Sequence, residues 1–335
     1  MTVTSGAPVL LFDRSNRLRM QFTGPKAAES LTGLVTNDVL ALRGGDGVYA
    51  CALTTKGRII ADVRILRIAG DDDTTQTLLV DANPAAGVGF ATMIRKYVNP
   101  RLARYADVTS STSCLTLVGE SALELLRGTG AANEAIDDVS SGPAFTHRLL
   151  DMSGVAARLV RVPDLGTDDT FDLHCDRDAA AALLAVLTAH GARADDAAEW
   201  HRLRVIGARP EWGIDMDEGT LAQEANMDAL NAISYQKGCY TGQETVARVH
   251  FRGHVNRTLR RVMYEDGAIP AVSTPLLMTD GAAVGDARSG AVADDGSAVG
   301  IAMLRREVGD GAELTWMAGD DRMSRARVLG VADGA

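Results

Sequence analysis

The residues of this chain best suited to chemistry stand together at Lys237-Gly238-Cys239-Tyr240-Thr241-Gly242-Gln243-Glu244, where a thiol and an ammonium share a glycine-bounded turn. Thr241 and Glu244 have the S/T-x-x-E spacing of a capping box, which predicts a helix over residues 243–248 with Thr241 supplying the cap oxygen. Cys239 then lies just before the positive end of a helix dipole, with Lys237 close by. That setting favours the thiolate and raises its reactivity. The same residue types also describe a small, inert cysteine in a tight turn. Local chemistry leaves both readings open.

Other side chains offer weaker chemistry. Between 248 and 261, Arg248, His250, Arg252, His254, Arg257, Arg260 and Arg261 are interrupted by no Asp or Glu. This run is either a site for an anion such as a carboxylate tail or phosphate, or a solvated face paired with acidic neighbours. His250 and His254 have the i, i+4 spacing of a helical metal pair, but Gly253 lies between them and no carboxylate completes the set, so no metal site is expected. Arg204 can hold a carboxylate bidentately or make a salt bridge between domains. Trp212 can cover a planar ligand or fill a core, and Asp62 can be a cleft base or a residue on the polar face of a strand. No G-x-G-x-x-G, phosphate loop or G-x-S-x-G elbow occurs.

Bulk properties bound the class. A chain of 335 residues, 46% hydrophobic, can bury two or three domains. It has no run long and apolar enough to span a membrane, and residues 1–8 show neither a basic region nor an apolar one, so a cytoplasmic protein is expected. A net charge of -10 and a pI near 5.1 disfavour nucleic-acid binding by the whole surface. Cys51, Cys114, Cys175 and Cys239 form no CxxC pair, which argues against a zinc ribbon, a cluster held wholly within the chain, or a disulfide framework.

The elements that must position these residues read as α+β. Strands are predicted over 9–12, 17–23, 48–54, 59–68 and 76–80, with helices over 25–34 and 84–96, a turn at 55–58 and a loop at 70–75. Further strands fall at 106–109, 115–119, 148–150, 157–162 and 170–175, with helices at 121–127, 177–189 and 194–206. Beyond Asn256 the texture changes to glycine-broken strands at 259–264, 275–278, 282–287, 298–304, 313–316 and 324–329, the pattern of a small barrel or sandwich.

Four stretches carry a resemblance: Leu34-Val35-Thr36-Asn37-Asp38-Val39, the run from Leu53 through Lys56-Gly57-Arg58 to Asp62, Leu203-Arg204-Val205 through Gly213, and above all the octapeptide at Lys237. They resemble the YgfZ type of folate-binding protein, related to the T-protein (aminomethyltransferase) of the glycine cleavage system. The resemblance implies two interwoven α+β domains over 1–255 and a carboxy-terminal β-barrel over 256–335, around a central channel for tetrahydrofolate. It implies Cys239 and Lys237 as the catalytic pair and Arg204 on the folate tail, with Asp168, Trp212, Asn37, Asp62, Gln243 and Arg257 as further cofactor-binding residues. T-proteins carry paired aspartates after the strand's glycines; the first, catalytic one falls on Ala61 here, which counts against aminomethyl transfer. The implied function is a tetrahydrofolate-binding accessory protein for iron-sulfur cluster assembly or repair, and through it tRNA modification. Its implied partners are folate and iron-sulfur enzymes or their assembly factors, without direct nucleic-acid contact. A folate-dependent one-carbon transferase and a non-catalytic folate scaffold are the alternatives.

Overall fold

The computed structural model describes residues 8–68, 76–166, 169–319 and 322–332; the amino end before Pro8, the expected loop at 70–75 and Asp168 lie outside them. The chain opens one sheet with β1 (Leu10–Asp13) and then leaves it to build another. That second sheet takes β2 (Leu18–Gly24), β3 (Gly47–Leu53), β4 (Ile59–Ile68), β5 (Gln76–Ala82) and β6 (Arg104–Asp107) in the order β3-β4-β5-β2-β6. The chain returns to the first sheet with β7 (Thr112–Val118), β8 (His147–Met152), β9 (Val155–Arg161), β10 (Thr170–Asp176) and β11 (Arg193–Asp195), ordered β11-β1-β7-β10-β9-β8. The two α+β units are therefore interwoven.

Strand alternation decides what each face does. In β4, Ala61, Val63 and Ile65 enter an apolar cluster with Leu31 of α1 (Ala27–Thr32) and with Phe90 and Ile94 of α2 (Gly87–Tyr97). The alternate residues Asp62 and Arg64 face the other sheet. In β7 and β10, Leu115, Leu117, Phe171 and Leu173 pack under α3 (Ala122–Gly128), α4 (Asn133–Ser141) and α5 (Ala180–Ala189). Their alternates Cys114, Thr116, Asp172 and His174 are also buried, on the opposite face. Each sheet thus keeps one apolar, helix-covered face and turns a polar face inward.

The helix predicted over 194–206 starts later, as α6 (Ala197–Ile206), because the side chain of Asp196 caps it by accepting from Ala198 N and Glu199 N. Residues 193–195 instead extend the first sheet, pairing parallel to β1. The helix α4 escaped the sequence reading because it is short and polar, with only Ile136 and Val139 buried. After α7 (Gln243–Arg252), six strands close into a barrel: β12 (Arg257–Tyr264), β13 (Pro275–Met278), β14 (Ala283–Val292), β15 (Ala298–Arg305), β16 (Glu313–Ala318) and β17 (Arg322–Val331). Closure removes the sheet edges. The barrel's Leu259, Ile301 and Met303 share a core with Met227 and Val246, fastening it to the rest of the chain. No helix among the described residues is long and apolar enough to cross a membrane.

Candidate functional site

The octapeptide forms a loop pinned on two sides. Gly242 is the residue before α7, at φ 86, and no side chain caps the helix, so the expected capping box is not formed. Its left-handed backbone lets the chain press onto the β3–β4 turn, where a Cβ at 242 would stand 2.5 Å from Thr54 O. On the other side Thr241 N donates to Gly33 O at 3.1 Å. Lys237 Nζ donates to Thr32 O, a carbonyl left over at the end of α1, and, at 2.7 Å, to Val35 O in the segment after it, and lies 4.7 Å from the Tyr240 ring centroid. Gln243 Oε1 accepts from Tyr240 N at 3.1 Å, which closes the loop on itself. Cys239 is exposed at its tip, whereas Cys51, Cys114 and Cys175 are buried.

Two predictions arise from this loop. Gly242→Val combines a β-branched residue at positive φ with a backbone collision, and is expected to cost about 2–4 kcal/mol in urea unfolding. Gly130→Val, at φ 83 with nothing within 4 Å of its Cβ, should cost about half as much, so the difference reads the contact with Thr54. Burial lowers the Lys237 pKa to about 8, against the opposing pull of Asp38 and Cys239. Between about 8 and 10.5 the unfolded chain then binds more protons than the folded one, so stability from this group rises with pH across that window. Nitrogen-detected titration of Nζ should give a midpoint near 8, and Lys237→Met should remove the rise.

A second constellation lies between the sheets. Arg64 reaches across from β4, placing Nη1 2.8 Å from Asp172 Oδ2 and 3.6 Å from Asp81 Oδ1, while Nη2 pairs with Asp164. Arg17 pairs with Asp81 at 2.6 Å and Arg14 with Asp164 at 2.8 Å. Burial alone would raise the Asp164 pKa, but the Arg64 and Arg14 guanidinium groups hold it well below the usual carboxylate range. Asp81 is lowered in the same way, burial being outweighed by Arg17 and Arg64. This network bounds a cavity of about 40 Å³ that is completed by Tyr49, Asp62, Arg209 and Trp212. The Tyr49 hydroxyl donates to Asp62 Oδ2 at 2.8 Å, and its pKa is pushed well up by burial and by Asp62. Asp62 Oδ1 and Trp212 Nε1 are buried without a hydrogen-bond partner among the described residues. A larger cleft of about 370 Å³ adjoins the cavity across Arg14, Arg17 and Trp200 and is walled further by Phe12, Asp195 and His201.

Of the residues singled out in the sequence, the structure brings Asp62, Arg204 and Trp212 to this cavity. Arg204 is 2% exposed and already engaged. Its Nη1 donates to Asp215 Oδ2 at 2.7 Å, its Nη2 to Ser289 Oγ at 2.8 Å, and its Nε lies 2.7 Å from Glu211 Oε2 as an ion pair without hydrogen-bond alignment. Asn37 instead ties β3 to the segment before the octapeptide, donating to Tyr49 O and Asn231 O at 2.9 Å each. Arg257 pairs with Glu224 at 3.0 Å and Arg260 with Asp310, so the basic run belongs to α7 and the barrel and does not wall the cavity. Cys239, Lys237, Gln243 and Asn37 do not line the cavity either.

Strand phase also corrects the reading of Ala61. Ala61 is fully buried in the helix-covered core. A carboxylate there would point away from the cavity, and the carboxylate that faces it is Asp62. Tyr49, Arg64 and Asp164 escaped the sequence reading, although the inward phase of Arg64 follows from Asp62 two residues earlier. Cys114, Asp172 and His174 also gather, with ligand atoms within 4.8 Å of one another. Both Asp172 oxygens are already bonded, one to Arg64 and one to Thr116 Oγ1 at 2.6 Å.

Comparisons with known proteins agree with this architecture. Residues 5–235 match the model of the GCVT N-terminal domain family. The human iron-sulfur cluster assembly factor IBA57, mitochondrial, is 27% identical over 319 residues, covering 91% of this chain and 80% of that protein. Its Neurospora crassa homolog is 27% identical over 275 residues; these are 77% of this chain, which spans only 54%, about half, of that relative's length. The tRNA-modifying protein YgfZ of Yersinia pestis (strain Pestoides F) is 24% identical over 274 residues, 82% of this chain and 76% of its own. In fold, the chain superposes on the crystal structure of glycine cleavage system aminomethyltransferase T from Bartonella henselae with a TM-score of 0.82 at 18% identity, covering 98% of this chain and 87% of that one. With interwoven α+β units and a closed barrel in place, the chain belongs to the GCVT N-terminal domain family and is of its YgfZ type.

Proposed function

We propose that the protein is a cytoplasmic accessory factor for iron-sulfur cluster assembly or repair, in which Cys239 is the working thiol and a folate-class ligand occupies the cleft beside the ionic cavity. The observation that carries the proposal is the placement of Cys239: it is the one exposed cysteine among the described residues, and its loop is held by Gly33, Thr32, Val35 and Thr54 rather than by its own side chain. Relatives named as iron-sulfur assembly factors support the client class.

The residues present test the folate part. A bicyclic pteridine does not fit a cavity of about 40 Å³, whereas the adjoining cleft of about 370 Å³ falls in the range of small-molecule sites. There Trp200 offers an aromatic surface, and Asp195 and His201 offer polar groups. Tetrahydrofolate would supply a one-carbon carrier. A tail carboxylate would meet Arg204 only by displacing Glu211, and would meet Arg14, 3.9 Å over the Trp200 ring, only by sharing it with Asp164. Calorimetric titration with tetrahydrofolate should show binding that Trp200→Ala weakens about tenfold, the loss of one aromatic face. No binding by the unmodified protein would remove folate from the proposal and leave the thiol part standing, since that rests on replacement of Cys239. One observation favours a second reading, one-carbon transfer: Asp62 faces the cavity with an unpartnered oxygen. Turnover with a lipoyl carrier protein that Asp62→Asn abolishes would establish it.

A further inference from the structure

The basic run left unused by the cavity builds a surface of its own. Two grooves, of about 390 and 370 Å³, lie side by side along α7 and share Leu221, Thr245 and Arg248. Glu244, Thr245, Arg248, Val249 and Arg252 recur at the spacing of one helix face, so the grooves form a single trough. Lys56 and Arg58, on the β3–β4 turn, wall one end of it, and Arg252 and His254 the other. Lys56, Arg58, Arg248 and Arg252 are all exposed, and among the described residues none is ion-paired. Glu244 and Glu224 are the carboxylates of the trough, and Glu224 is taken by Arg257.

We propose that this trough docks an acidic segment of a partner protein. Its carboxylates would meet Arg248, Arg252 and Lys56, and its apolar side chains the floor of Leu221 and Val249. A folded nucleic acid is the poorer match. No Phe, Tyr or Trp lines either groove, and the stacked Tyr235 and His250, centroids 3.6 Å apart, do not reach it, so bases find no broad platform. A long polyanion also feels the whole chain's charge of -10, whereas a short acidic stretch samples only the field within about 10 Å. The docking site goes beyond the thiol reading and does not depend on it, yet α7 begins directly after the loop of Cys239, so a segment seated there holds its protein beside the exposed sulfur.

Fluorescence anisotropy with a fluorescein-labelled poly-glutamate peptide tests the proposal. The full chain should bind the peptide at low salt and release it as salt rises. Arg248→Glu combined with Arg252→Glu should weaken binding at least about tenfold. Lys56→Glu, on the facing turn, leaves the helix untouched and should weaken it as well. Arg193→Glu, on β11, makes the same charge change as Lys56→Glu and should leave it unaltered, and unchanged melting curves certify that each variant folds. Absence of peptide binding, an equal loss in Arg193→Glu, or tighter binding of a single-stranded RNA oligonucleotide that the double variant abolishes would each overturn it.

Discussion

Arg64→Ala is expected to destabilise the protein by about 3–5 kcal/mol, because it strips a buried cation from three buried carboxylates. The Arg64 side chain is 8% exposed, and Asp81, Asp164 and Asp172 are 7% or less. Arg17 and Arg14 remain beside Asp81 and Asp164, but among the described residues Asp172 keeps only its hydrogen bond from the hydroxyl of Thr116. An uncompensated buried charge costs far more than the pair contributed, which is why removal of one partner is severe where replacement of the whole network by apolar side chains is often mild. Arg202 makes a good comparison. It bonds both oxygens of Glu199 at 2.7 Å and reaches Asp294 at 2.9 Å, yet that site is open to solvent, and Arg202→Ala should cost under about 1 kcal/mol. Urea unfolding of the two variants at neutral pH compares them directly.

The same network sets the response to acid. Asp81 and Asp164 have lowered pKa values in the fold, so between their folded and unfolded values the unfolded chain binds more protons. Their stabilisation is complete above about pH 4 and is lost as pH falls through the lower, folded values. Arg64→Ala should flatten this acid limb, since its guanidinium contributes to both shifts.

Much of the frame was legible because it rests on local pattern. The strand β4 and the short barrel strands show their period in the residues themselves, and so does the change of texture before Arg257. The ionic core was not legible. Arg64 and Asp172 are 108 residues apart, and Arg64 and Asp164 are 100 apart; no spacing rule links them until two sheets are laid face to face. Similarly, a polar residue inside an apolar strand reads equally as surface or as cavity until its partner face is known, which is how Asp62 stayed undecided. The capping box failed for a different reason. Gly242, in the left-handed region and in contact with the β3–β4 turn, takes the position that the motif assigns to Thr241. Tertiary contact there overrides the local rule. Arg204 shows the limit of likeness between families: the residue type is right for a carboxylate, and Asp215 and Glu211 of the same chain already supply it.

In the function proposed, Cys239 works through its sulfur and not through the shape of its turn. Cys239→Ala removes an exposed thiol that supports no packing, so its stability should fall within about 0.5 kcal/mol of the unmodified protein. The decisive measurement is the activity of a cluster-dependent enzyme in cells lacking their own protein of this family, supplied with equal amounts of either form. The unmodified chain should restore that activity, and folded Cys239→Ala should not. Full restoration by Cys239→Ala would contradict this role of the sulfur.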